Sequence, residues 1–299
     1  MGLGHLLTIK LILFFTGLQI SKAAEWGFSD DNGPQNWPGI CTTGKRQSPI
    51  DIVTKDLVES DLDSLDFDYY DVAVPVTMIN NGHSVQIGDF NKLDMPIVLR
   101  RGNLPSTYIL EQMHFHWDAE HTIDGVRDPL ELHIVHYNEE FGNFTNAAEH
   151  KNGLVVIGIL FELDHSDNPV LKPILDAIKL VSNWVGKSAV SIQKLVSISL
   201  LPENRSSYYR YQGSLTTPNC QESVIWIILA DKIPISKKQL NVFKNVDGPD
   251  GPLKSNFRPT QKLGDRNVYY RQGYNGAFSF TSNIMFTILN IFLIRFLHN

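Results

Sequence analysis

The strongest constraint on the fold is a succession of short runs rich in β-branched and aromatic residues, each closed off by Gly, Pro, Asn or Asp. They are Ser84 to Ile87, Ile109 to Trp117, Leu130 to Tyr137, Leu154 to Leu163, Val190 to Ile192, Tyr208 to Tyr211 and Val224 to Leu229. Helical spacing is scarce. One helix is predicted after Asp167-Asn168, where Val170, Leu171, Ile174, Leu175, Ile178 and Val181 share a face. A second follows Ser236, with Gln239 completing a capping box ahead of Leu240 and Phe243. With 42% hydrophobic and 19% charged residues the chain can bury a large core. From Trp26 to about Gln272 no linker, repeat or low-complexity tract interrupts it. The expectation is therefore a single, mainly β domain with peripheral helices.

Both ends of the 299-residue chain read as processing signals. Lys10, the apolar run Leu11 to Leu18 and then Ser21-Lys22-Ala23 form a secretory leader, expected to span 1–23 and to leave a mature chain beginning near Ala24. At the other end, Ile284 to Leu297 is apolar but interrupted by Asn290 and Arg295, and its 14 residues fall short of the roughly 20 that span a bilayer. Small residues at Asn275-Gly276-Ala277 and a short polar spacer precede it, so 273–299 is expected to be a glycolipid-anchor signal with Asn275 as the attachment residue. In the oxidising compartment this implies, the only two cysteines, Cys41 and Cys220, are expected to pair, closing a loop that stabilises the fold by roughly 4 to 5 kcal/mol in the chain-entropy model. Asn143-Phe144-Thr145 and Asn204-Arg205-Ser206 are N-glycan acceptor sequences. A net charge of -6 with no basic cluster excludes nucleic acid as a partner. No feature specifies an oligomer.

The chemistry concentrates in Gln112-Met113-His114-Phe115-His116-Trp117. Alternate residues of a strand face the same way, so His114 and His116 project side by side and Gln112 shares their face. A hairpin's distance downstream, Glu131-Leu132-His133-Ile134-Val135-His136 offers His133 with Glu131 on the same face, while His136 points to the other. Three neutral imidazoles without a thiolate suit zinc, and three protein ligands leave a position open for water. Gln112 and Glu131 are placed to take the second ring N–H of a ligand histidine. A rival reading stays open here: His114, His116 and Glu120 also match the H-x-H-x3-E spacing of cupin metal sites, although Tyr108 stands where such sites carry glycine.

QMHFHWDAEHTIDG, LELHIVHYN, NNGHSV, RQSPIDI and YQGSLTTPNC together resemble segments of α-class carbonic anhydrases, in the right order, from Trp26-Gly27 to Asn256-Phe257-Arg258-Pro259. The resemblance covers essentially the whole mature domain, expected to span 24–272. It implies a twisted, mostly antiparallel sheet of about ten strands, with zinc at the bottom of a conical cleft on His114, His116 and His133. It further implies reversible hydration of carbon dioxide to bicarbonate and a proton through a zinc-bound hydroxide, oriented by Thr216, which donates to Glu120. Carbon dioxide would rest against Val135, Val156, Leu215, Val224 and Trp226, bicarbonate would border Thr217, and His83 would carry the proton to buffer, a task suited to an imidazole pKa near 6.5. His121 and Tyr211 would support the site through buried hydrogen bonds.

Phe28, Gln86 and Glu111 depart from the family's commoner tyrosine, asparagine and apolar residue at those positions, altering the surroundings of the proton path and the fit of inhibitors. Sulfonamides and small anions are the inhibitors implied, and the extracellular face of the cell membrane, through the lipid anchor, the expected location. The contrasting reading is a weakly catalytic cell-surface binding module of the same fold.

Overall fold

The computed structural model describes residues 26–273 apart from positions 184, 187, 188 and 250. The leader, the anchor segment and Asn275 lie outside the described residues, as does Ala24.

Ten strands form the spine of one sheet: β1 (Val58–Glu59), β2 (Ala73–Asn80), β3 (Val85–Gly88), β4 (Tyr108–His116), β5 (Leu130–Asn138), β6 (Leu154–Asp164), β7 (Ala189–Val196), β8 (Tyr208–Gly213), β9 (Val224–Leu229) and β10 (Tyr269–Arg271). Their spatial order is β7-β2-β3-β4-β5-β6-β9-β8-β10-β1. Seven of these nine neighbouring pairs are antiparallel, and β6 with β9 and β10 with β1 are parallel. The short strand Ile233–Ser236 extends β6 in parallel, and Leu65–Asp68 pairs with Val98–Arg101, which joins β4.

The central strands are apolar on both faces because both faces are covered. Alternation then sorts them. Met113, Phe115, Leu132, Ile134, Val155, Ile157, Ile225 and Ile227 enter one core, and Val135, Leu154, Val156, Val224, Trp226 and Ile228 enter a second core on the opposite side. The first core is closed by α3 (Lys172–Val181) and α4 (Lys237–Lys244), the former burying Ile174, Leu175, Ala177, Ile178 and Val181. Pro173 occupies the first turn of α3, where its missing N–H costs nothing, and the residues before it form a 3-10 turn, so the helix begins later than its apolar pattern does. At α4 the capping box is present in both directions, Ser236 Oγ accepting from Gln239 N and Gln239 Oε1 from Ser236 N. Of two shorter helices, α2 (Phe144–Ala148) packs on the second core, and α1 (Ile40–Thr43) packs through Cys41 in a separate small cluster with Trp37 and Cys220.

Strand β2 was hidden in the sequence by Pro75, which has no N–H for a ladder. It is accommodated by a bulge: Ile192 faces Val76 and Leu195 faces Val74, so Gln193 and Lys194 bow out where a regular ladder would require an N–H donor from Pro75. This also makes β7 longer than its apolar core, Val190 to Ile192, suggests.

Cys41 and Cys220 are joined as expected, 179 residues apart in sequence. The bond fastens α1 to the segment that carries Thr216 and Thr217, since Cys220 N also donates to the Thr217 carbonyl.

Candidate metal centre and cleft

Strands β4 and β5 run antiparallel with His114 opposite His133 and His116 opposite Glu131. Three ring nitrogens therefore converge, one each from His114, His116 and His133, within 4.8 Å of one another. In each ring the other nitrogen is engaged. His114 Nδ1 donates to Gln112 Oε1 at 2.9 Å, His116 Nδ1 to the main-chain carbonyl of Asn256 at 2.6 Å, and His133 Nε2 to Glu131 Oε1 at 2.8 Å. The acceptors fix the tautomers, leaving lone pairs on His114 Nε2, His116 Nε2 and His133 Nδ1 aimed at one point. His116 Nε2 is buried and has no hydrogen-bond partner. A buried polar atom without a partner is costly, so the arrangement fits an electrophile held there. Burial, reinforced by neighbouring imidazoles, pushes the pKa of His114 well below the usual value; it lowers His133 and brings His116 to about 4. All three are thus neutral near pH 7, the form a divalent metal requires.

Glu131 organises this centre. Its Oε2 accepts from the main-chain N–H of Glu120 and of His121, both at 2.8 Å, and its Oε1 from His133 Nε2 and His121 Nδ1, both also at 2.8 Å. Burial alone would raise its pKa, yet His121 and His133 hold it well below the carboxylate range. His121 Nε2 accepts from the Tyr211 hydroxyl at 2.7 Å, and the Tyr211 oxygen lies 2.9 Å from Ser48 Oγ, which extends the network. His121, Glu131 and His133 also lie close enough to be a metal triad, but their facing atoms are already joined by these hydrogen bonds, which makes them a brace for His133.

Glu120 is fully buried. Its Oε1 accepts from Arg258 N at 2.8 Å, while its Oε2 has no standard hydrogen bond and lies 3.6 Å from His116 Nε2. Burial pushes its pKa up to about 7, against the pull of His133, the Thr216 hydroxyl and the Arg258 amide. Thr216 itself is buried and lines the cleft.

The imidazoles form the floor of a cavity of about 370 Å³. Val135, Val156, Leu215 and Trp226 supply an apolar wall, and Thr216, Thr217, Gln112 and Gln86 a polar one. Val224, expected on that wall, is instead behind it. It packs in the core with Val135, Val156 and Trp226 and does not line the cavity. His83 stands at the mouth, stacked on Trp26 with ring centroids 3.7 Å apart, and borders both the cleft and a second cavity of about 360 Å³. Phe28 lines both cavities as well. Glu111 is not on the cavity wall: the register jumps from Gln112 opposite Val135 to Leu110 opposite His136, which leaves Glu111 as the unpaired residue of a bulge. His136 faces the first core and meets the Tyr70 hydroxyl.

Two contributors escaped sequence reasoning. Asn256 presents its carbonyl to His116 while its side chain accepts from Trp117 N at 2.8 Å and donates to the Phe115 carbonyl at 2.9 Å. Arg258, buried, donates to Cys41 O, Gln47 Oε1 and Ser48 O, tying the disulfide region to the backbone that holds Glu120. Asn256 lies 140 positions from His116 and Arg258 138 from Glu120, and strand parity carries no signal over such distances.

A family described as eukaryotic-type carbonic anhydrase matches residues 32–272. Carbonic anhydrase 7 of Mus musculus is 38% identical over 258 residues, covering 81% of this chain and 96% of that protein. Carbonic anhydrase 6 of Mus musculus is 34% identical over 276 residues, 86% and 83% of the two chains, and carbonic anhydrase 3 of Homo sapiens 34% over 259 residues, 82% and 98%. The single large sheet and this match over most of the chain remove the cupin alternative. Fold and sequence agree that the chain belongs to the eukaryotic-type, α-class carbonic anhydrase family.

Proposed function

We propose that this chain catalyses the reversible hydration of carbon dioxide to bicarbonate and a proton at a zinc ion held by His114, His116 and His133. The observation that carries the reading is the convergence of three neutral ring nitrogens whose partners on the far side are all committed, with one of the three orphaned in a buried site. Zinc held by these three histidines would lower the pKa of a bound water to about 7 and so would supply a hydroxide nucleophile.

The remaining work falls to the protein. Ionised Glu120, the form favoured beside a dication, is an acceptor only, and its Oε2 has no other standard hydrogen bond. The Thr216 Oγ proton is therefore directed to Glu120, and Thr216 Oγ is left as an acceptor toward the cleft. A nucleophile that donates to Thr216 is held in one orientation, and anions without a proton to donate are disfavoured. Val135, Val156, Leu215 and Trp226 offer carbon dioxide an apolar, dry wall beside that position, and Thr217 borders the product. His83, facing the cleft on one side and the second cavity on the other, accepts the released proton on a ring nitrogen and returns it to buffer.

We place the enzyme on the extracellular face of the membrane, its leader removed and a glycolipid attached near Asn275. The Cys41–Cys220 disulfide supports an oxidising compartment, and among the described residues no helix is long and apolar enough to cross a membrane. Exchange of oxygen-18 from labelled carbon dioxide into water tests the reading. Rapid exchange that is blocked by an aryl sulfonamide and lost in His116→Ala is expected; exchange that persists in His116→Ala would overturn it.

A further inference from the structure

We propose that Asn143 carries an N-linked glycan that stands on the rim of the cleft and discriminates against bulky ligands while leaving carbon dioxide unaffected. The proposal rests on the secretory reading above. Asn143 opens the acceptor sequence Asn143-Phe144-Thr145, and both Asn143 and Thr145 are exposed. Its side-chain oxygen caps α2, accepting from Asn146 N at 2.9 Å. Glycosylation uses the other atom of that amide. Nδ2 loses a proton and bonds to the anomeric carbon of an N-acetylhexosamine, while that carbon's bond to a polyprenyl-diphosphate donor breaks and the diphosphate departs. The cap and the sugar are compatible.

The helix that Asn143 caps is one wall of the active-site cleft. Phe144, Thr145, Ala148 and Glu149 all line the cavity. Glu149 Oε1 accepts from Gln221 Nε2 at 3.1 Å, which ties this wall to the segment carrying Thr216 and Thr217, both residues lining the cavity. A glycan rooted one residue before Phe144 sweeps the space above this edge. Carbon dioxide and bicarbonate pass beneath it, whereas a ligand with a large solvent-exposed body must exclude part of that sweep. The second acceptor sequence differs. Asn204 lies away from the cleft lining, with its Oδ1 held by Ser206 and its Nδ2 by Asp231.

The apparent affinity of a ligand falls with the fraction of glycan orientations it permits, so a bulky body that forbids about two thirds of them weakens binding about threefold. The test uses full-length protein from a eukaryotic secretory host, with peptide mapping of Asn143. Affinities for benzenesulfonamide and for the same head group on a polyethylene glycol chain are measured before and after enzymatic removal of glycans. Asn143→Asp keeps the capping oxygen but cannot be glycosylated, and Asn204→Asp is the control. An occupied Asn143 is expected, with binding of the polymer-bearing sulfonamide strengthened about threefold or more by deglycosylation and by Asn143→Asp but not by Asn204→Asp. Benzenesulfonamide affinity and carbon dioxide hydration stay unchanged. An unglycosylated Asn143 overturns the proposal through its secretory premise; an occupied Asn143 whose glycan can be removed without changing the affinity for the polymer-bearing sulfonamide overturns the gating itself.

Discussion

Replacing Glu131 with glutamine tests whether the hydrogen-bond brace, and not only the three ligands, makes the metal centre. Glu131 accepts four N–H donors on two oxygens, and every one of them is buried. Glutamine keeps one oxygen and turns the other into a donor. Either the main-chain N–H groups of Glu120 and His121 or the rings of His121 and His133 then lose their acceptor. Two buried donors left unsatisfied at roughly 1–3 kcal/mol each predict a loss of about 2–6 kcal/mol of stability. If the rings lose, His133 is free to carry its proton on Nδ1, the atom that faces His114 at 3.3 Å. Zinc affinity then falls about 10- to 100-fold, as for other partners of metal-bound histidines. Chelator competition gives the affinity, and urea unfolding of the metal-free protein gives the stability. A Glu131→Gln protein with wild-type zinc affinity and wild-type stability would refute the role assigned to Glu131.

Other predictions concern separate steps. His83→Ala is expected to slow turnover in dilute buffer and to recover with added imidazole; an unchanged rate removes His83 from the proton path. Thr216→Val should retain zinc while kcat/KM for carbon dioxide falls about 100-fold through lost orientation, measured by stopped flow. His136 is buried and burial lowers its pKa to about 4, so its neutral form is favoured in the fold while the unfolded chain binds a proton near pH 6.5. Its contribution is complete above pH 6.5 and is lost as pH falls toward 4, up to about 3 kcal/mol, and urea unfolding of His136→Gln should show that much less dependence on pH over this window. Removing the disulfide with a Cys41→Ser, Cys220→Ser pair should cost up to about 5 kcal/mol in the chain-entropy model, read as a lowered Tm.

How much of this was legible beforehand follows from the range of each signal. Strand alternation is local, and it placed His114, His116, Gln112, His133 and Glu131 on facing sides of two strands that the structure pairs in that register. It also set His136 apart. Glu111 broke the pattern because a bulge shifts parity by one, and a single extra residue leaves no trace in the sequence itself. Pro75 concealed β2 because its compensation lies in a bulge on another strand more than a hundred residues later. Asn256 reaches His116, and Arg258 reaches Glu120, through main-chain atoms, which any residue type possesses, so identity gives little hint of these two contacts. Val224 was assigned to the cleft wall by resemblance; its neighbours Val156 and Trp226 reach the cavity while Val224 stays in the core beneath.

Glu120 illustrates where function and stability diverge. A fully buried carboxylate with one oxygen lacking a standard hydrogen bond is unfavourable for folding, and burial raises its pKa to about 7. The chain keeps it, fixed by the Arg258 amide and adjacent to Thr216, where an acceptor-only group gives the network a direction. Local expense of this kind, surrounded by well-satisfied groups such as Glu131, is the pattern expected of a site organised for chemistry.

The most direct test is stopped-flow hydration of carbon dioxide by protein whose zinc content is measured on the same sample, with His116→Ala alongside. One zinc per chain and rapid, sulfonamide-sensitive turnover are expected in the wild type, both lost in His116→Ala. One zinc per chain with negligible turnover would contradict the proposed function and leave a metal-bearing binding module in its place.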